Sequence, residues 1–273
     1  MPLVDIGANL THASFHDDLD AVLARARAAD VATLIVTGTT VLESRLAAEI
    51  ADRFDLYCTA GVHPHHARDC NDSTIAELRH LSVHPRCVAI GECGLDFNRN
   101  YSPHPDQEKG FIAQLELALE VGRPLFLHSR DAHPRFAEIL RRYRPPRAVA
   151  HCFTGEKDEL HAYIELGLYI GITGWICDER RGQHLLTLVR DIPSDRLLLE
   201  TDSPYLTPRD MRPQPKARRN EPAFLPHILK TVARALGRAP EEVAAQTTRN
   251  AERLFGFRHE SRASVTSQRA ASA

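Results

Sequence analysis

The chain has 273 residues, 43% of them hydrophobic and 26% charged, with a formal net charge of −2. This is a globular composition, long enough for one large α/β domain. It excludes a global positive field, so any polyanion site must be a local patch, and no apolar run is long enough to span a bilayer.

The opening MPLVDIGANL lacks a basic segment leading into a long apolar one, so no signal peptide is expected and the chain reads as cytoplasmic. Along it, short β-rich runs alternate with helical patterns. LVDIGAN (3–9) precedes an amphipathic stretch at 17–29, and ATLIVTG (32–38) precedes VLESRLAAEIADRF (41–54). LYCTAGV (56–62) leads to a helix over 72–81, with Asp72 or Ser73 as its N-cap. CVAIGE (87–92) leads to 107–122, PLFLH (124–128) to 132–143, and AVAHC (148–152) to 157–167. LYIGITG (168–174) precedes 182–191, and RLLLETD (196–202) precedes 222–237.

These are eight strand–helix units with near-continuous apolar strands, the pattern of a parallel sheet covered by helices. Eight units at this length predict a closed (β/α)8 TIM barrel over residues 1–258. A doubly wound sheet has fewer units, and the chain carries neither G-x-G-x-x-G nor a Walker sequence. A ninth helix at 240–256 packs on as an extra, and the small, polar segment 259–273 reads as a disordered tail. The six cysteines, at 58, 70, 87, 93, 152 and 177, form no C-x-x-C pair and read as reduced thiols.

In such barrels chemistry sits at the carboxyl ends of the strands. Those ends deliver Asn9, His63, Glu92, His128, His151 and Asp202. Each has an ordinary reading, a hydrogen-bonded core histidine or an aspartate capping a turn before Ser-Pro. Glu92 is harder to explain alone, because burying an unpaired carboxylate costs several kcal/mol or more. Its place at the end of an apolar strand makes sense as one rung of a ring. Two histidines, a glutamate and an aspartate at one mouth make a divalent-metal site with nitrogen and oxygen donors.

The blocks DIGANLT, AGVHPH, AIGECGLDFNRN, LHSRDAH, HCFTG, YIGITGW, CDERRG, LLLETDSPYL and RRNEPAFLPHIL resemble the TatD family of metal-dependent deoxyribonucleases, from residue 5 to about 256. The resemblance implies an amidohydrolase-type TIM barrel and a phosphodiesterase acting on DNA, 3′-5′ on single-stranded or fraying ends, with RNA as a further substrate. It places the metal ligands at Glu92, His128, His151 and Asp202, puts His63 beside the scissile phosphate, and favours Mg2+ over Mn2+ or Zn2+. Many relatives carry H-x-H at the end of strand 1, where this chain has Gly7 and Asn9. Any metal that relied on strand 1 is therefore held more weakly or leans on Glu92 as a bridge. Asp5, inside the strand, reads as structural.

On this reading Asp202 is the general base, Glu92 bridges metal, and His63 binds the phosphate or protonates the leaving oxygen. Arg99, Arg130, Arg180, Arg181, Arg218 and Arg219 fall in loops of the active face, where they bind substrate or merely solvate the loops. Trp175 and Phe97 either stack on unpaired bases or pack beneath loops. RRNEP also reads as a rigid turn, with Glu221 pairing an arginine and Pro222 starting a helix. Competing functions are a related barrel hydrolase of esters or amides, such as D-aminoacyl-tRNA, and a binding protein with a degenerate metal site. The expected partner is nucleic acid as substrate, bound by a monomer away from any membrane.

Overall fold

The computed structural model of the chain describes residues 2–215 and 218–257. Eight parallel strands pair in sequence order. They are β1 (Leu3–Ala8), β2 (Val31–Val36), β3 (Tyr57–Ala60), β4 (Cys87–Asp96), β5 (Leu125–Arg130), β6 (Ala148–Ala150), β7 (Tyr169–Ile172) and β8 (Leu197–Leu199). The chain just past β8 returns to β1. Asp202 N–H donates to Gly7 O at 2.8 Å, Asn9 N–H donates to Ser203 O at 2.7 Å, and Ala8 bridges Ser203. The fold is thus a (β/α)8 barrel.

The helices are α1 (Leu19–Ala28), α2 (Val41–Phe54), α3 (Asp72–Ser82), α4 (His104–Val121), α5 (His133–Tyr143), α6 (Lys157–Glu165), α7 (Leu185–Leu188), α8 (Leu225–Leu236) and α9 (Pro240–Phe255). Their apolar stripes bury against the outer face of the barrel around Leu34, Phe111, Phe136, Leu140 and Ile228. Inside the barrel a second cluster stacks Val4, Ile6, Ile35, Val88, Phe126, Val149, Tyr169 and Leu198, and Leu254 and Phe255 of α9, with Phe257 just past it, close its lower end. The ninth helix is therefore a plug rather than an appendage. No described helix is long and apolar enough to cross a membrane.

Several expected boundaries move for identifiable reasons. The α3 N-cap is Asn71, one residue before the expected candidates. Its side chain accepts from the backbone N–H groups of Ser73 and Thr74. α7 is a single turn that tightens into a 3-10 turn at Val189–Asp191, and Pro222 starts a 3-10 turn, Pro222–Phe224, that leads into α8. β4 runs four residues past Glu92. Gly91 and Gly94 adopt φ of +140° and +144°, and a Cβ on either would collide with a β5 carbonyl, of Phe126 or His128. The pairing of β4 with β5 shifts register between Gly91 and Cys93. Such a bulge re-aims a side chain, and the one re-aimed is Glu92. The six cysteines are free thiols, and the expected tail at 259–273 lies outside the described residues.

Candidate active site

A cavity of about 480 Å3 opens at the carboxyl end of the barrel, lined by His63, Glu92, His128, His151 and Asp202 among others. Three imidazoles meet one atom there. His151 Nε2 lies 2.7 Å, His128 Nδ1 3.0 Å and His63 Nε2 3.3 Å from Glu92 Oε1. Burial alone would push the Glu92 carboxyl up. The charges of His151 and His63 and the hydrogen bonds from His128 and His151 overcome it and hold the group well below the usual carboxylate range. In the same way burial opposes charge on His151 and His128, yet their carboxylate neighbours push both upward. Those neighbours are Glu92 and Glu200 for His151, and Asp96 and Glu92 for His128.

His63 behaves differently. Burial, helped by His128 and His65, outweighs the attraction of Glu92 and lowers it to about 4. Its Nδ1 accepts the backbone N–H of His65 at 3.1 Å, so in the neutral ring the proton sits on Nε2, facing Glu92. Asp202 is raised to about 7, by burial first and then by Glu92 and Glu200 against the pull of His151. Asn9 Nδ2 donates to Asp202 Oδ1 at 2.9 Å. The strand-1 amide thus orients a carboxylate rather than standing in for an imidazole.

Three residues of the site escape a reading of strand ends. Glu200 is wholly buried beneath His151, 3.3 Å from its Nδ1, and accepts the backbone N–H of Cys152. A Cβ on Gly7 would sit 2.5 Å from Glu200 Oε2, and one on Gly171 would collide with Oε1. The glycine at the first H-x-H position therefore makes room for the carboxylate that follows β8. Alternation past Leu198, whose side chain lies in the barrel interior, is the signal that puts Glu200 and Asp202 on one face and Thr201 on the other. The second residue, Asp96, lies 3.4 Å from His128 Nε2 and 2.8 Å from His65 Nε2, which makes His65 the third. Asp5, as expected, is structural and takes hydrogen bonds from Thr201 and Gly7.

The arginines divide. Arg99, Arg130 and Arg181 line this cavity, while Arg180 and Arg218 line an adjoining one of about 340 Å3 that shares Trp175, Arg181, Tyr205 and Leu206 with it. Arg219 is not brought to either cavity. It pairs with Asp18 and Glu221 at 2.8 Å, beside Arg25, and caps the Phe15 ring. RRNEP is thus a tie between α1 and the start of the α8 region. Arg181 is itself bound to Asp178 and lies over the Trp175 ring, 4.1 Å from its centre. Phe97 stacks on His104. At the mouth, Tyr205 is 51% exposed and lines both cavities.

These donors fit a divalent ion. His63, Glu92 and His128 each place a ligand atom within 4.8 Å of the others, and His151 Nε2 lies 2.7 Å from the same Glu92 oxygen. Imidazole with carboxylate suits several divalent metals. Residues 4–256 match the model of the TatD related DNase family. The chain belongs to that family. It is 56% identical, over 93% of its length and all of the relative, to the 3′-5′ ssDNA/RNA exonuclease TatD of Erwinia tasmaniensis. It is 54% identical to the protein of the same name from Pantoea ananatis, over 93% of this chain and all of that one. Among solved structures it is similar to YJJV, a TatD homologue from Escherichia coli K12. The TM-score is 0.86 at 28% identity, covering 94% of this chain and 98% of that one.

Proposed function

We propose that this TatD-family chain is a divalent-metal-dependent 3′-5′ exonuclease of single-stranded DNA and RNA, with Mg2+ as its working ion. The observation that carries the reading is the meeting of three imidazoles at Glu92 Oε1, with Asp202 in the same cavity. Glu92, His128, His151 and Asp202 would hold the ion. When bound, it supplies charge neutralisation at a phosphoryl oxygen and a water of lowered pKa.

The remaining work falls to the chain's own groups. Asp202, oriented by the Asn9 amide at its Oδ1, is placed to take a proton from an attacking water. His63, with its Nδ1 taken by the backbone N–H of His65, has only Nε2 to offer a phosphate oxygen or the leaving group. Arg99 and Arg130 are free for phosphates, having no ion-pair partner among the described residues, and Tyr205 is free for a base. We read residues 1–258 as one domain acting as a cytoplasmic monomer, in keeping with its free thiols and a barrel without sheet edges.

The test is purified protein on 5′-labelled single-stranded DNA and RNA, with Mg2+ or with chelator, and a D-aminoacyl-tRNA alongside. Stepwise shortening from the 3′ end that chelator abolishes is expected. Deacylation without shortening would replace the reading by the ester hydrolase, and neither reaction would leave a binding protein.

A further inference from the structure

A second donor cluster lies outside the catalytic cavity. Cys177, Asp210 and His227 each bring one ligand atom within 4.8 Å of the other two. They come from three separate segments. Cys177 ends the 3-10 turn after β7 (Gly174–Cys177), Asp210 lies in the loop after β8, and His227 sits in the first turn of α8. Cys177 is buried at 4% exposure, whereas the side chains of His227 and Asp210 are 30% and 38% exposed. His227 Nε2 and Asp210 Oδ1 are 2.6 Å apart.

We propose that Cys177, Asp210 and His227 form a second metal site, structural in role, for a borderline-soft divalent ion, Zn2+ first. The proposal does not depend on the exonuclease reading. The donor set argues for it. Thiolate, imidazole and carboxylate are zinc ligands, whereas Mg2+ takes oxygen donors and keeps its waters, so a thiol at the centre selects against the working ion of the catalytic cavity. Zinc bonds of about 2.0–2.3 Å place tetrahedral donors roughly 3.3–3.8 Å apart. With all three donors within 4.8 Å of one another and His227 and Asp210 2.6 Å apart, shifts of no more than about 1 Å in two partly exposed side chains would reach that spacing, and the exposed Asp210 edge leaves an entry path and a fourth position for water. Cys177 would bind as thiolate, its proton going to solvent.

The position gives the ion a job. The β7 and β8 loops already touch, since a Cβ on Gly174 would collide with Leu206 O. The same two loops carry Trp175, Arg181, Tyr205 and Leu206 to the cavity mouth. An ion joining Cys177, Asp210 and His227 would staple both loops to α8 and set the width of that mouth.

The test loads the full-length protein with Co2+ and reads the near-ultraviolet thiolate-to-cobalt charge-transfer band. The band is expected in the unaltered chain and in Cys152→Ala, whose thiol lies by the catalytic cavity, and absent in Cys177→Ser. Zinc retained after dialysis should fall by about one ion per chain in Cys177→Ser and in His227→Gln. The partly exposed His227 keeps the test open should the buried Cys177 variant not fold. A band that survives Cys177→Ser or vanishes in Cys152→Ala, no band at all, or equal zinc in all folded variants would overturn the proposal.

Discussion

The two ends of the barrel interior are built from the same strands and differ completely. The lower end is apolar: Val4, Ile6, Ile35, Val149 and Leu198 stack there against Leu254, Phe255 and Phe257 of the α9 region. The upper end holds the histidines and carboxylates of the cavity. One step of the pleat separates them. Phe126 is followed two residues later by His128, Val149 by His151, and Leu198 by Glu200 and then Asp202. The boundary is a contact, with the Phe126 and His151 rings 4.5 Å apart. The period of two that layers the core also delivers the site, and the apolar floor makes each charge above it dependent on a partner.

The largest expected effect tests whether the upper end is organised for chemistry at a cost to stability. Glu92→Gln removes the anion at which three imidazoles meet. It should lower the exonuclease rate on single-stranded DNA by about 10^3-fold or more; the imidazoles left without that anion give up their protons, so the thermal midpoint near neutral pH stays within a few degrees of wild type. Leu198→Ala, at the lower end, should do the reverse. A cavity beneath the site costs roughly 2–5 kcal/mol in a denaturant titration, with most of the rate per folded molecule kept. If Glu92→Gln unfolds the chain and Leu198→Ala abolishes turnover without loss of stability, the contrast between the ends is wrong.

A smaller effect is expected one contact further out. Glu200 touches His151 but does not line the cavity. Glu200→Gln should weaken metal binding, read as the concentration for half-maximal activity, by about 10–100-fold, with a smaller loss at saturating metal. An unchanged metal requirement would place Glu200 with the floor rather than with the site. Smaller again is Tyr205→Ala at the outermost rim. It should raise KM for a single strand by roughly 5–100-fold and leave kcat near wild type, the loss of one stacked base. A fall in kcat alone would show that Tyr205 shapes the cavity instead.

The sequence makes the apolar end and the strand order legible, because near-continuous apolar runs leave few alternatives to a covered parallel barrel. It also makes legible the residues on which a strand visibly stops being apolar, His63, Glu92, His128, His151 and Asp202, all of which line the cavity. What it hides lies in pairs that no one-dimensional pattern joins. Gly7 and Gly171 are ordinary glycines until Glu200 occupies the space they leave. Asn9 looks like a lost ligand until Asp202 is seen to accept from it. Arg219 looks like a rim residue, yet Asp18 and Glu221 hold it away from both cavities. The length of β4 is hidden as well, since two glycines that usually end a strand here let it kink and continue.

The last effect lies on the opposite face of β1, between the interior residues Val4 and Ile6. Asp5 is fully buried and accepts from Thr201 N–H, Thr201 Oγ1 and Gly7 N–H, yet burial outweighs these donors and raises its carboxyl to about 7. Its folded value thus stands above its unfolded one, near 3.8. Between those values the folded chain keeps a proton that the unfolded chain has released, so stability from this group is fully present below about pH 4 and is lost as the pH rises through about 7. The whole change is at most a few kcal/mol, since one pH unit corresponds to about 1.4 kcal/mol. Asp5→Asn cannot ionise, and its amide oxygen can still accept from the two backbone N–H groups. The thermal midpoint of Asp5→Asn relative to wild type should therefore climb steadily from pH 4.5 to pH 7.5. A constant offset across that range would mean that Asp5 is ionised in the fold, its three hydrogen-bond donors outweighing its burial.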